Sequence, residues 1–167
     1  HKLGGKSQLT FSGYTSSDQF SLADDTTYHW KNYAGAIRFD HRFNEKLFSS
    51  IALTYGQYGF MLSEDDPDTA FELNYSILYP SLKVDLQRSG KHTWSFGLHN
   101  TYYRFDPGNL KPASGISDIP FREMDPERGL ESAVYASDAF DLSDRWLVEA
   151  GVRFSMFSHF GPATVYR

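Results

Sequence analysis

The chain has no cysteine. That removes disulfides, thiolate metal sites and cysteine nucleophiles together, and it is compatible with an oxidising compartment. Long hydrophobic runs are also missing. Mean hydropathy is −0.49, and no apolar run approaches the roughly 18–20 residues of a membrane helix, which excludes a helical membrane protein. A membrane barrel is not excluded, because alternating strands dilute the hydropathy signal. Basic clusters are absent and the net charge is −5, so the electrostatic footprint of a nucleic-acid binder is lacking. No signal peptide precedes His1, and alternation is under way by Leu9, so the sequence reads as a piece of something longer.

Signals for catalysis and metal binding are equally thin. Six histidines, at 1, 29, 41, 92, 99 and 159, are scattered without an H-x-x-x-H pair or carboxylates spaced for zinc. Serines are plentiful, but there is no G-x-S-x-G elbow. The acidic run Glu64, Asp65, Asp66, Asp68 lacks the D-x-D-x-D-G spacing of a dedicated calcium loop and reads as a solvated, charge-rich loop. Asn74-Tyr75-Ser76 matches a glycosylation acceptor only by coincidence. No enzymatic activity, cofactor or metal is expected.

Aromatic residues are abundant: 17% of the chain, with Tyr 11, Phe 14 and Trp 3. That favours strands over helices. At 167 residues the chain is long enough for one domain. Residues 131–157 show the pattern best, as two alternating runs joined by a polar corner at Ser143-Asp144-Arg145. In the second run Trp146, Val148, Ala150, Val152, Phe154 and Met156 fall on one face, and Glu149, Gly151, Arg153 and Ser155 on the other. A strand of about eleven residues with that contrast is roughly twice the usual soluble length and suits a tilted bilayer crossing.

The same rhythm recurs along the chain. Leu9, Phe11 and Gly13 alternate with polar neighbours. In 30–43, Tyr33, Gly35, Ile37, Phe39, His41 and Phe43 oppose a face bearing Arg38, Asp40 and Arg42. Leu47, Ile51, Leu53 and Tyr55 continue it after a turn at Asn44-Glu45-Lys46. The run 70–87 changes phase: Phe71, Leu73, Tyr75 and Ile77 are odd, whereas Leu78, Pro80, Leu82, Val84 and Leu86 are even, which predicts a bulge near Ile77 and Leu78. Residues 92–105 alternate again. In 106–129, Pro107, Gly108, Pro112, Gly115, Pro120, Pro126 and Gly129 predict a long excursion with little regular structure.

Connections thus alternate between short corners at 44–46, 88–92 and 143–145 and long loops at 23–29, 62–70 and 106–130. Short turns at one rim and long loops at the other are how outer-membrane barrels are built. Trp94 and Trp146 follow short corners, while Trp30, Tyr102 and Phe105 lie near long loops, as two interfacial girdles require. The predicted fold is all-β: antiparallel up-and-down strands forming part of a large transmembrane outer-membrane β-barrel. About seven strands over 1–167 are too few to close one, so the remaining strands are expected outside this sequence.

The segment Glu131-x-Ala133-x-Tyr135-x-x-Asp138-x-Phe140-x-Leu142-Ser143-Asp144-Arg145-Trp146, with Gly151-x-Arg153-x-Ser155, resembles the barrel of TonB-dependent outer-membrane receptors, particularly the SusC-like type of Bacteroidetes. Residues 160–166 resemble the extracellular loop that follows this hairpin. The resemblance implies a 22-strand barrel filled by a plug, nutrient uptake energised by TonB, and residence in the bacterial outer membrane. Its implied partners are outer-membrane lipid, the rest of the barrel and plug, TonB and a surface lipoprotein. The plug and the TonB box are not in this sequence, and no ligand motif is matched.

Two groups of side chains are the functional candidates. Arg38, Asp40, Arg42, Lys83, Asp85, Glu149 and Arg153 occupy polar faces, where they would line a lumen or form a cross-strand ion network. Tyr28, Tyr103, Phe105 and Phe121 sit in predicted loops, where rings stack on ligands or serve as girdle residues. Competing readings are a soluble all-β ligand-binding module, lipocalin-like or sandwich, and a porin or adhesin barrel. The soluble module requires the Ile37, Phe39, Val148 and Val152 faces to be buried against one another.

Overall fold

A computed structural model describes residues 4–22, 26–64, 71–112, 118 and 120–161. Ten strands form one antiparallel sheet: β1 (Ser7–Leu22), β2 (Thr26–Arg42), β3 (Leu47–Glu64), β4 (Phe71–Leu78), β5 (Ser81–Arg88), β6 (His92–Asp106), β7 (Asn109–Pro112), β8 (Arg122–Glu123), β9 (Glu127–Ser143) and β10 (Trp146–His159). β4 runs on into β5, β6 into β7 and β8 into β9, so the ten segments make seven passes. The described residues contain no helix.

Register across the sheet is what separates polar from apolar. Leu9, Phe39, Ile51, Val84, Leu98, Val134 and Phe154 stand side by side in one row across all seven passes. On the opposite face, one position away, lies the row Gln8, Asp40, Ser50, Asp85, Gly97, Tyr135 and Arg153. Period-two alternation therefore becomes two chemically different surfaces.

No second layer covers the apolar face. Ile37 is 47% exposed and Val152 76%, and Ala133 is the sole buried apolar side chain among the described residues. Among the described residues, the apposed faces required of a sandwich are absent. On the polar face, by contrast, Asp40, Thr101 and Ala133 are buried.

Two aromatic girdles bound the apolar band. Phe43, Trp94 and Trp146 lie at the short-turn edge, and Tyr33, Tyr55 and Tyr102 at the other. Trp94 and Tyr102 are eight positions apart on β6, about 27 Å along a strand at roughly 3.4 Å per residue. At about 40° of tilt that is about 20 Å along the normal, and with the rings' own reach it approaches the roughly 25 Å apolar band of outer-membrane barrels. β3, with 18 residues, runs well past the band.

Beyond the upper girdle the faces exchange polarity. The surface that was apolar now carries His29, Lys31, Asn74 and Ser76, and the surface that was polar carries Tyr28, Trp30, Phe60 and Tyr75. This overturns three expectations. There is no bulge near Ile77 and Leu78, because β4 and β5 keep one register against β3 and the apolar residues simply change sides. Pro80 lacks a donor, yet the pairing continues around it: Tyr79 N donates to Gly56 O at 2.8 Å and Tyr102 N to Pro80 O at 3.0 Å. Trp30 and Phe105 belong to the polar-side surface and not to a girdle, since their parity is that of Arg38 and Thr101.

The third correction concerns 106–129, where β7 and β8 continue the sheet. The register shift falls at Pro107-Gly108: β6 and β7 meet β4 one residue out of step. Asp106 Oδ1 accepts from Gly108 N at 3.0 Å, closing a small side-chain turn. Gly108 has a φ of +79°, and a Cβ there would collide with the backbone carbonyl of Asn74. Gly59, in the neighbouring β3, has open space where its Cβ would go. Gly108→Val is therefore expected to destabilise the fold by about 1–3 kcal/mol, and Gly59→Ala to be near neutral. Urea midpoints for the barrel refolded into detergent, followed by heat-modifiable gel migration, check the pair.

Candidate functional site

The lower half of the polar face is an ionic wall. On β2, Arg38 Nη2 lies 2.8 Å and its Nε 2.9 Å from Asp40 Oδ2. On β5, Lys83 Nζ lies 3.1 Å from Asp85 Oδ2. The Tyr135 hydroxyl, reaching from β9 across β6, donates to Asp85 Oδ1. Arg153 on β10 sits with its guanidinium 5.7 Å from the Tyr135 ring centre, and Lys83 Nζ lies 5.9 Å from it on the other side. Glu131 ties in the upper corner, accepting from the Tyr103 hydroxyl at 3.2 Å with Arg153 Nη2 at 3.9 Å.

Two glycines set the relief of this wall. The Tyr135 ring lies over Gly97 and the Tyr79 ring over Gly56, so closely that a Cβ on either glycine would meet the ring. Between Tyr14 and Tyr79 the floor drops to Ala34, Ala36 and Gly56, leaving a hollow of about 310 Å³ edged by Ser12 and Thr54.

Above the hollow is an aromatic platform. Phe20, Tyr28, Trp30, Phe60, Tyr75 and Phe105 form a contiguous series, with centroid separations of 6.3 Å for Phe20–Tyr28, 6.1 Å for Tyr28–Trp30, 6.0 Å for Trp30–Phe60, 5.1 Å for Phe60–Tyr75 and 6.2 Å for Tyr75–Phe105. Five adjacent strands contribute, so the platform is about 19 Å wide at roughly 4.8 Å per strand. Its central rings are only half-buried, which leaves ring surface open.

All seven ionic candidates share this face. Arg38 meets Asp40, Lys83 meets Asp85, and Arg153 meets Tyr135 and Glu131, whereas Arg42 and Glu149 have no ion-pair partner among the described residues. Tyr28, Tyr103 and Phe105 lie in strands β2 and β6 rather than loops, and Phe121 is exposed in the connection before β8. Tyr28 and Phe105 join the platform; Tyr103 packs against Phe157 with centroids 6.4 Å apart. Sequence reasoning missed Trp30, Phe60 and Tyr75 as partners of Tyr28, although their strand parity carried the signal. Glu64 ends β3 and accepts from Thr26 Oγ1 at 3.0 Å; Asp65, Asp66 and Asp68 lie outside the described residues. Among the described residues no three His, Asp or Glu side chains gather as a metal set.

The family model for TonB dependent receptor-like β-barrels matches residues 3–166. The chain belongs to that family. No curated protein and no solved structure matches it. Membership makes the sheet part of an outer-membrane β-barrel of a TonB-dependent receptor, a class of transporters that works with TonB and a plug domain. In such a barrel the apolar band is the surface that meets lipid, because only side chains can differ between lipid and water once every backbone group is paired.

Tyr135 is the joint of the ionic wall, and its parts are separable. Tyr135→Phe keeps the ring over Gly97 and removes the hydroxyl donated to Asp85, for an expected loss of about 0.5–1.5 kcal/mol. Tyr135→Ala also uncovers Gly97 and is expected to lose at least about 2 kcal/mol. A double-mutant cycle of Tyr135→Phe with Asp85→Asn, read by urea unfolding in detergent, checks the hydroxyl's share: additive losses would show that Tyr135 and Asp85 do not interact.

Proposed function

We propose that this chain is a wall segment of a TonB-dependent nutrient transporter, with Arg38, Asp40, Arg42, Lys83, Asp85, Glu149 and Arg153 facing the lumen. The supporting observation is the exchange of polarity along the strands: an apolar band between two aromatic girdles on one side, and beyond the band a platform of rings on the other. Rings on the outward surface there would favour lipid contact; rings on the inward surface are placed for a cargo. The ligand that suits a half-buried platform of Trp30, Phe60 and Tyr75 above a small hollow has flat apolar faces and polar edges, as sugars and ring-bearing nutrients have. Tyr28 and Phe105 widen that platform, and Tyr103, two positions from Phe105 on β6, lies at its margin, while the exposed Phe121 before β8 is a further candidate ring. The SusC-like assignment rests on the 131–155 motif, and with it goes a surface lipoprotein as partner, which co-purification from membranes would reveal.

Orientation is tested first. Spin labels placed singly at 150–156 should alternate, with Val152 and Phe154 accessible to a lipid-soluble relaxation agent and Arg153 and Ser155 to a water-soluble one. Uptake is tested second. Trp30→Ala with Tyr75→Ala should weaken ligand binding by about 10-fold or more, since stacked rings contribute roughly 0.5–1.5 kcal/mol each beyond their buried area. Uptake unchanged in the double variant would remove the platform from the transport path.

A further inference from the structure

Arg104 on β6 and Arg128 on β9 stand directly opposite each other. Both are exposed, and neither side chain has an ion-pair or hydrogen-bond partner among the described residues. Like charges directly opposite in an antiparallel pair destabilise it, so their persistence calls for a counter-charge. The nearest carboxylate along β6, Asp106, lies two positions from Arg104 on the same face, but it accepts from Gly108 N at 3.0 Å and forms no ion pair with either arginine among the described residues. On the same surface, each arginine is two positions beyond an apolar-band residue, Tyr102 on β6 and Leu130 on β9, and the pair is flanked in its own row by Leu78 and Phe160.

Depth identifies what supplies the charge. Two residues at roughly 3.4 Å each and about 40° of tilt lift Arg104 about 5 Å above Tyr102 on its own strand, and Arg128 stands beside it on β9. The polar headgroup layer occupies about 5–7 Å outside the hydrocarbon on each side. At that height on the apolar-band side, and at the rim of long loops, the pair is within reach of the headgroup layer. Guanidinium forks match phosphate oxygens two at a time, and two forks on adjacent strands, with Cβ atoms about 5 Å apart, can close on one phosphate from both sides.

We propose that Arg104 and Arg128 form a clamp for the phosphate of an anionic lipid headgroup in the outer leaflet, so that the barrel carries a bound phospholipid-type molecule at this rim. The clamp rests on the assignment of the apolar face to lipid, which the labels at Val152 and Phe154 test independently.

The test uses the protein inserted in its membrane, extracted in mild detergent and exchanged into nanodiscs of neutral lipid doped with phosphatidic acid or, in a parallel arm, diacylglycerol. Native mass spectrometry then reads retained lipid. Phosphatidic acid should be retained over diacylglycerol, and Arg104→Ala with Arg128→Ala should lower that retention by about 10-fold or more, given the strength of charge-assisted pairs. Arg104→Lys with Arg128→Lys should fall between, keeping charge but losing the forks. Inorganic phosphate at high concentration should compete only weakly. Equal retention in wild type and the double alanine variant, or no preference for phosphatidic acid, overturns the proposal; full displacement by inorganic phosphate makes the site an ion site and overturns the lipid assignment. Should the double variant misassemble, Arg104→Gln and Arg128→Gln singly decide it: each must lower retention with unchanged heat-modifiable migration, and unchanged retention in both sinks the clamp.

Discussion

A sheet one layer thick has no core to absorb an error, so the whole structure hangs on its backbone ladder. With Ala133 the only buried apolar side chain among the described residues, burial cannot hold the strands in place. In hydrocarbon each unpaired N–H or C=O is worth several kcal/mol, and within the apolar band the described strands pair without a gap. Interruptions of the ladder sit at the girdles or above the upper one: the register shift at Trp146/Leu147 at the lower girdle, Tyr79-Pro80 in the Tyr55–Tyr102 row, Pro107-Gly108 beyond it, and 124–126 between β8 and β9. Proline and shifted register are confined to the depth where water and headgroups can satisfy a lost partner.

The exchange of polarity follows from strands longer than the membrane they cross. Inside the band the outward side meets lipid and the inward side meets water or protein, which selects apolar-out and polar-in. Past the headgroups the outward side meets water too, and nothing selects for apolar residues there. His29, Lys31, Asn74 and Ser76 take that surface. On the opposite face the constraint relaxes in the opposite sense, and Tyr28, Trp30, Phe60 and Tyr75 shelter one another across adjacent strands. The same chain thus builds a charged, water-compatible wall low in the sheet and a ring-lined surface higher up, without any change of strand direction.

This explains what the sequence disclosed and what it hid. The faces of 35–43 and 146–156 were legible because both lie inside the band, where alternation and environment agree. The run 70–87 was misread because alternation reports a difference between faces and not which face meets lipid; an exchange of environment and a slipped register leave the same mark in sequence. Trp30 and Phe105 were placed in a girdle by proximity to loops, although parity with Arg38 and Thr101 assigned them to the other surface. Loop boundaries failed at 109–112 and 122–123, where Gly and Pro mark a bulged, continuing hairpin rather than the end of the sheet. The contacts of Tyr135 with Gly97 and Asp85 depend on cross-strand register, which no local pattern states.

Register itself needs more than two kinds of face, because a slip of two residues preserves both. The ion pairs supply only part of that specificity: Arg38–Asp40 and Lys83–Asp85 lie along single strands and would survive any slide of their neighbours, whereas Glu72–Lys111 and Glu131–Arg153 cross between strands, and solvent-exposed pairs are worth only about 0–1 kcal/mol. Ring-on-glycine contacts are different. On the polar face of β6 the positions are Thr93, Ser95, Gly97, His99, Thr101 and Tyr103, and on that of β3 they are Phe48, Ser50, Ala52, Thr54, Gly56, Tyr58 and upward. Each series offers one glycine, and one tyrosine from the next strand lies flat on it. A two-residue slip would drive Tyr135 onto Ser95 or His99 and Tyr79 onto Thr54 or Tyr58, exchanging a fitted contact for a steric clash. Tyr79 and Tyr135 therefore act as register keys, one on each side of the β5–β6 hairpin, in a structure whose apolar and polar faces alone would tolerate a two-residue slide.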